Sequence, residues 1–315
     1  MSKFIYYLMF FGVSLQCFSQ IKIDKKEILI LNDSIKLAGT LTYHKNLKKQ
    51  PLVIFIPGSG SIDRDGNQKP YSNANYIKYL AKALHQNDIA FFRYDKRTAN
   101  IDNAKFLGAE IVIEDFVKDV NKIIDHFKAN KHFSSINIIG HSQGSLVGML
   151  CDLKNVDNYI SLAGPSKTID KTLYEQIKKI NGDTLAHTLK TQLEELKTNG
   201  SIKNVNPSLF GLLNPTNQRF LYSWMKYDPK KEISKIKIST LILNGDKDLQ
   251  VTPIDAESLH HANKGSKLVL IKNMNHVLKH IYKEEDNLKS YTNPEFTLSK
   301  ALVYQIVLFI KSSKK

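Results

Sequence analysis

A serine with glycines two positions away on either side, Gly140-His141-Ser142-Gln143-Gly144, is where residue types and spacing first point to chemistry. It follows the apolar run Ile136-Asn137-Ile138-Ile139 and precedes a helical stretch, so a buried strand must turn sharply there. Such a turn lifts Ser142 above the end of a sheet, and the glycines relieve the crowding of strand against helix. A hydroxyl is a poor nucleophile at neutral pH and needs a base, which in turn needs orienting. Asn244-Gly245-Asp246-Lys247-Asp248 follows the apolar run 240–243, and Asn273-Met274-Asn275-His276 follows the run 268–271. Asp248 and His276 therefore sit on loops just past strands, at the edge where Ser142 emerges. Ser142 would attack, His276 would take and return the proton, and Asp248 would hold the imidazole. Asp246 is a second candidate for the acid. His280, one helical turn beyond His276, is the rival base, while His260 and His261 fall within a predicted helix.

An attacked carbonyl also needs donors for the oxyanion it becomes. The N–H of Gln143, directly after the nucleophile, is one candidate. The other comes from Pro57-Gly58-Ser59-Gly60, which ends the apolar run 52–56, with Ser59 as the expected donor. No G-K-[ST] follows that loop, so a phosphate cradle is disfavoured.

These positions require a particular scaffold. Residues 27–31 and 35–43 flank the turn Asn32-Asp33-Ser34 and read as an opening hairpin. Strand-like and helical runs then alternate: 52–56, 75–84, 89–94, 111–127, 136–139, 145–151 and 159–163. That order predicts a mostly parallel sheet with helices on both faces. Between 166 and about 236 no buried strand is evident, and Leu185, Leu189, Leu193 and Leu196 form a helical stripe. We expect a helical insertion there, lying over one end of the sheet. Alternation resumes at 240–244, 253–261, 268–271 and 298–310.

Composition excludes several classes. With 42% hydrophobic and 24% charged residues, the 315-residue chain is neither a disordered tail nor a polytopic membrane protein. Forty-five Lys and Arg against 30 Asp and Glu leave +15, but the lysines are scattered in pairs. No recognition helix or dense arginine cluster accompanies them, so nucleic acid is not an expected partner. Two cysteines, Cys17 and Cys151, form no disulfide framework, and no Cys/His spacing suggests a zinc site. Residues 1–19 read as an export signal: Lys3 precedes an apolar run, 4–15, too short to span a bilayer. The alternatives are a retained anchor or a lipidated Cys17. After cleavage a periplasmic or extracellular domain, 20–315, without membrane insertion is expected.

Taken together the chain resembles the α/β-hydrolases, in the branch of secreted bacterial carboxylesterases related to serine aminopeptidase-like and acyl-thioesterase-like hydrolases. Four segments carry the resemblance: IPGSGSIDRDGN (56–67), FRYDKR (92–97), GHSQG (140–144) and NGDKDLQV (244–251). The order Ser142, Asp248, His276 is that of the family's triad. One departure is Pro57, where many relatives have His; that position is not a donor. The resemblance implies an α/β-hydrolase fold with a helical cap at about 166–236, no metal or organic cofactor, and a small acyl ester as substrate. Leu209, Phe210, Leu212, Phe220, Tyr222, Trp224 and Met225 are candidates to line the cap's pocket. Relatives divide among esterases, thioesterases and peptidases. An aminopeptidase needs an acidic group for the substrate's amine, for which Glu194-Glu195 are candidates, although a solvated helix face suits them better. The charged runs 61–67 and 93–97 are expected to be locked in ion pairs, with Arg93 or Arg97 as alternative ligands for a substrate carboxylate. A non-catalytic exported binding protein is the alternative from another class, and the complete triad speaks against it.

Overall fold

The computed structural model describes residues 23–312 apart from Lys48, Lys69, Ala109, Asn130 and Lys131. The expected signal, residues 1–19, lies outside the described residues.

The chain opens with an antiparallel hairpin of β1 (Asp24–Asn32) and β2 (Ile35–Tyr43). Asp33, in the turn, takes φ 51°, a left-handed conformation that Asp tolerates better than most residues. Then come β3 (Gln50–Ile56), a short ribbon of β4 (Asn67–Gln68) and β5 (Ser72–Asn73), α1 (Tyr76–His85) and β6 (Ala90–Tyr94). α2 (Ile113–Ala129), β7 (Phe133–His141), α3 (Gln143–Leu150) and β8 (Asn158–Leu162) continue the alternation. Five helices follow without a strand between them: α4 (Ile169–Asn181), α5 (Asp183–Asn199), α6 (Phe210–Leu213), α7 (Pro215–Met225) and α8 (Pro229–Ser234). β9 (Ser239–Gly245), α9 (Pro253–Ala262), β10 (Lys267–Ile271) and α10 (Lys300–Ser312) complete the described chain.

Eight strands form one sheet in the order β1-β2-β6-β3-β7-β8-β9-β10. β2 meets β6 antiparallel, and from β6 onward every pairing is parallel. The apolar run of β3 is continuous because both its faces are covered. Leu52, Ile54 and Ile56 pack with α2 and α3 on one side; Val53 and Phe55 pack with α1 and α10 on the other. On α2 the stripe Phe116, Val120, Ile123, Ile124 and Phe127 faces the sheet as its spacing requires.

Parallel pairing brings the carboxyl ends of six strands to one edge. β6, β3 and β7 are neighbours there, so the loops carrying Lys96, Gly58 and Ser142 converge. β9 and β10 are also neighbours, which joins the Asp248 and His276 loops. The loop 61–67 is locked by charge, as expected: Arg64 pairs with Asp95 and Glu27, and Arg93 with Asp65. The lysine pairs 25–26, 178–179 and 230–231 are all exposed, which accounts for much of the positive balance as solvated exterior. Among the described residues no helix is long and apolar enough to cross a membrane.

Candidate active site

β7 ends at His141, and α3 begins at Gln143, leaving Ser142 alone to make the turn. Its backbone adopts φ 55°, ψ −122°, a conformation that non-glycine residues rarely take and that costs on the order of 1–3 kcal/mol. The strain is held from both sides. Ser142 N–H donates to the Leu162 carbonyl at 3.0 Å, and the Ser142 carbonyl accepts from Ser145 N–H at 2.9 Å. The two glycines of the motif permit the packing. A Cβ on Gly140 would lie 2.3 Å from the Gly144 carbonyl oxygen, and one on Gly144 would lie 2.2 Å from that of Ile56. Gly144→Ala should therefore lower stability by about 3 kcal/mol, since neither backbone can retreat without parting strand from helix. A urea-midpoint shift equivalent to less than ~0.5 kcal/mol would show that the gap can open cheaply.

The structure brings Asp248 and His276, the expected acid and base, into contact. His276 Nδ1 lies 2.7 Å from Asp248 Oδ2, and both side chains are almost wholly buried. The other Asp248 oxygen accepts from Gln250 N–H at 2.8 Å and Val251 N–H at 2.9 Å, so the carboxylate cannot rotate freely. A carboxylate can only accept; Nδ1 must therefore carry the proton, which leaves the Nε2 lone pair free. Asp246, the rival acid, works one layer back: its Oδ1 accepts from Asn273 N–H at 2.6 Å and steadies the histidine loop. The rival histidines are engaged elsewhere. His260 Nδ1 contacts Ser266 Oγ, and the His280 ring packs on Tyr282.

Ser142, Gln143 and Ser59 line a cavity of about 640 Å³, while Asp248 and His276 are not among its lining residues. Among the described residues the Ser142 hydroxyl makes no hydrogen bond, to His276 or to any other group. The two halves of the site are joined instead by His141, which the sequence reading passed over. Its Nε2 lies 2.9 Å from the His276 carbonyl and its Nδ1 3.4 Å from the Tyr76 hydroxyl. The carbonyl only accepts, so Nε2 bears the proton and Nδ1 accepts from Tyr76. Burial, with the charge of His276 adding to it, lowers His141 to about 3 and keeps it neutral in this role.

The proposed oxyanion donors stand close to the serine. A Cβ on Gly58 would lie only 3.1 Å from Ser142 Cβ, so the Gly58–Ser59 peptide runs directly past the nucleophile. Gln143 opens α3, where the first N–H groups have no intrahelical acceptor. Between these two elements sits Lys96, also missed from sequence. It is 4% exposed, donates to the Gly58 carbonyl at 2.8 Å and to Gln143 Oε1 at 2.7 Å, and faces the Phe116 ring at 4.5 Å. Among the described residues no carboxylate bonds it; its neighbour Arg97 takes Asp119 through two bonds of 2.7 Å. Two charge-assisted hydrogen bonds contribute roughly 1.5–3 kcal/mol each, against a burial cost of several kcal/mol for an ammonium. Burial wins in part: it brings Lys96 down to about 7, with the charge of Asp119 opposing.

Apolar lining comes from Phe116 on α2 and from Leu212, Phe220, Leu221 and Trp224 of the helical stretch. Of the other residues expected there, Leu209 and Met225 are buried without lining the cavity, and Phe210 and Tyr222 are exposed. Glu194 and Glu195 do not line it, and Glu195 accepts from Lys203 N–H. Arg93 and Arg97 have carboxylate partners of their own and do not line it. Among the described residues no cluster of His, Cys, Asp and Glu is arranged to hold a metal ion.

Residues 72–209 match the family model described as "Serine aminopeptidase, S33". Esterase EstD of Thermotoga maritima is 28% identical over 251 residues, covering 77% of this chain and 58% of the relative. The chain thus spans less than two thirds of that relative's length. Esterase Pf2001 of Pyrococcus furiosus superposes with TM-score 0.61 at 17% identity, over 92% of this chain and 91% of that one. Est1E of Butyrivibrio proteoclasticus, solved with ferulic acid bound, gives 0.59 at 18% identity, over 91% and 98%.

Proposed function

We propose that the chain, which has the α/β-hydrolase fold, is a serine hydrolase that cleaves carboxylic esters of modest apolar acids through an acyl-enzyme. Ser142 Oγ attacks the carbonyl carbon while His276 Nε2 takes its proton. The oxyanion falls between the N–H groups of Ser59 and Gln143. Collapse expels the alcohol, protonated by His276, and leaves an acyl ester on Ser142. Water then repeats the sequence and releases the acid. Asp248 keeps His276 in the tautomer that can accept. The serine and base need close only with substrate present, since catalytic hydrogen bonds tighten in the Michaelis complex. The helices between Ile169 and Ser234 act as a cap that supplies the acyl pocket. The export signal read in residues 1–19 belongs to the same proposal: the substrate is met outside the cytoplasm.

One observation favours an ester over a peptide. Among the described residues that line the cavity there is no carboxylate, and Lys96 is the sole basic side chain. A free α-amino group would find no counter-ion there and would meet a like charge, whereas an uncharged acyl chain fits Phe220 and Trp224. On a panel of p-nitrophenyl esters from acetate to octanoate, matching thioesters and aminoacyl p-nitroanilides, the esters should be cleaved at least ~100-fold faster than the anilides, because a buried charge left without its partner costs about 2–5 kcal/mol. Preference for anilides would overturn this reading, and preference for thioesters would redirect it.

A further inference from the structure

Resting on the ester-hydrolase reading, we infer that Lys96 is a positioning residue for the oxyanion donors, and that its positive charge is required for turnover. Lys96 lies just past β6, and β6 lies beside β3, so its side chain reaches the β3 loop and the start of α3 together. In a trans peptide the carbonyl and the following N–H point in opposite directions. Fixing the Gly58 carbonyl at 2.8 Å therefore fixes the direction of the Ser59 N–H. The second bond, to Gln143 Oε1 at 2.7 Å, holds the residue that carries the other donor. One ammonium thus sets the relation between two amides that come from chain segments 84 positions apart (143 − 59). Donors of this kind stabilise charge only when they are in place before it develops.

The partners chosen by Lys96 separate it from a packing cation. Arg64, Arg93 and Arg97 in the same region each bind a carboxylate. Lys96 binds a carbonyl and an amide, which leaves its charge uncompensated within one residue of both donors. An oxyanion arriving there becomes its counter-ion. The charged groups facing it are few. On the α2 side Asp119 is felt, but Arg97 holds that carboxylate. From β3 and α3 come the Gly58 carbonyl and the Gln143 amide, and Phe116 covers the ammonium from α2. The residues of the 169–225 helices that line the cavity are uncharged.

Burial lowers Lys96 to about 7, so it is protonated below that pH and neutral above it. Activity lost as pH rises through this range would follow. The test measures kcat and KM for p-nitrophenyl butyrate from pH 5.5 to 9 on the full chain, Lys96→Met and Lys96→Arg. Fluorophosphonate labelling of Ser142 and a thermal melt accompany each. We expect Lys96→Met to lower kcat about 100-fold, as loss of an oxyanion donor does, with KM within about threefold, the split that separates transition-state from ground-state effects. Wild-type kcat should fall on the alkaline side, and Lys96→Arg, whose charge does not titrate in this range, should flatten that fall. A folded Lys96→Met enzyme with near wild-type kcat overturns the inference. So does an alkaline fall in wild-type kcat that persists unchanged in a folded Lys96→Arg enzyme. A wild-type protein that neither labels nor cleaves esters removes the hydrolase reading itself, a result distinct from either.

Discussion

Ser142→Ala should give a folded protein whose ester hydrolysis is down by about 10⁴-fold or more and which no longer takes a fluorophosphonate label. The substitution isolates chemistry from structure. The hydroxyl has no hydrogen-bond partner among the described residues, so its loss leaves no buried group unsatisfied. Alanine keeps the Cβ that serine already carries, and the strained φ of 55° is neither relieved nor worsened. The backbone bonds to Leu162 and Ser145 do not involve the side chain. Thermal stability should therefore match wild type. Activity above a tenth of wild type in a protein of normal stability would mean that the nucleophile lies elsewhere.

Asp248→Asn should cost about 10³–10⁴ in kcat, and the hydrogen bonds say why. Oδ1 accepts from two backbone N–H groups, and an asparagine would keep its carbonyl oxygen there. Its NH₂ then faces His276 Nδ1 in place of Oδ2. Nδ1 would have to accept, the proton would move to Nε2, and the imidazole would have no lone pair for Ser142. Asp246→Asn provides the contrast. The oxygen that accepts from Asn273 N–H survives as the amide carbonyl, so activity should fall less than about tenfold, the scale of a small displacement rather than a lost role. If the two substitutions had equal effects, the acid would be misassigned.

The sequence disclosed those residues whose neighbours in space are also announced by neighbours in the chain. Ser142 sits between two glycines at a strand end, and Asp248 and His276 each follow an apolar run. The eight main strands and their order of appearance were legible for the same reason: buried parallel strands are short apolar runs bounded by turn residues. Lys96 and His141 were not, because their roles depend on which strands lie side by side. Within Arg93-Tyr94-Asp95-Lys96-Arg97 the three cations look alike. The partner of Arg93 lies 28 positions back and that of Arg97 22 positions on, which leaves only Lys96 for the site. Pocket lining on α7 failed in a different way. Helical period says that Phe220 and Trp224 share a face, but not whether that face meets the cavity; Tyr222, two positions on from Phe220, turns outward. Phase is set by the partner element, here α2 through Phe116 against Phe220.

The sheet order has a consequence for the life of the polypeptide before it is complete. β9 and β10 are the last two strands of the sheet in sequence and stand at its far edge, and the loops after them carry Asp248 and His276. The elbow, the donor loop, Lys96 and the helices around the cavity are all synthesised earlier. A nascent chain that has not yet reached Ser239 thus has Ser142 but neither Asp248 nor His276. On the proposed mechanism such a chain is inert toward esters, as is any fragment cut short of β9. On that mechanism hydrolytic competence waits for the loops that follow β9 and β10, a timing set by strand order.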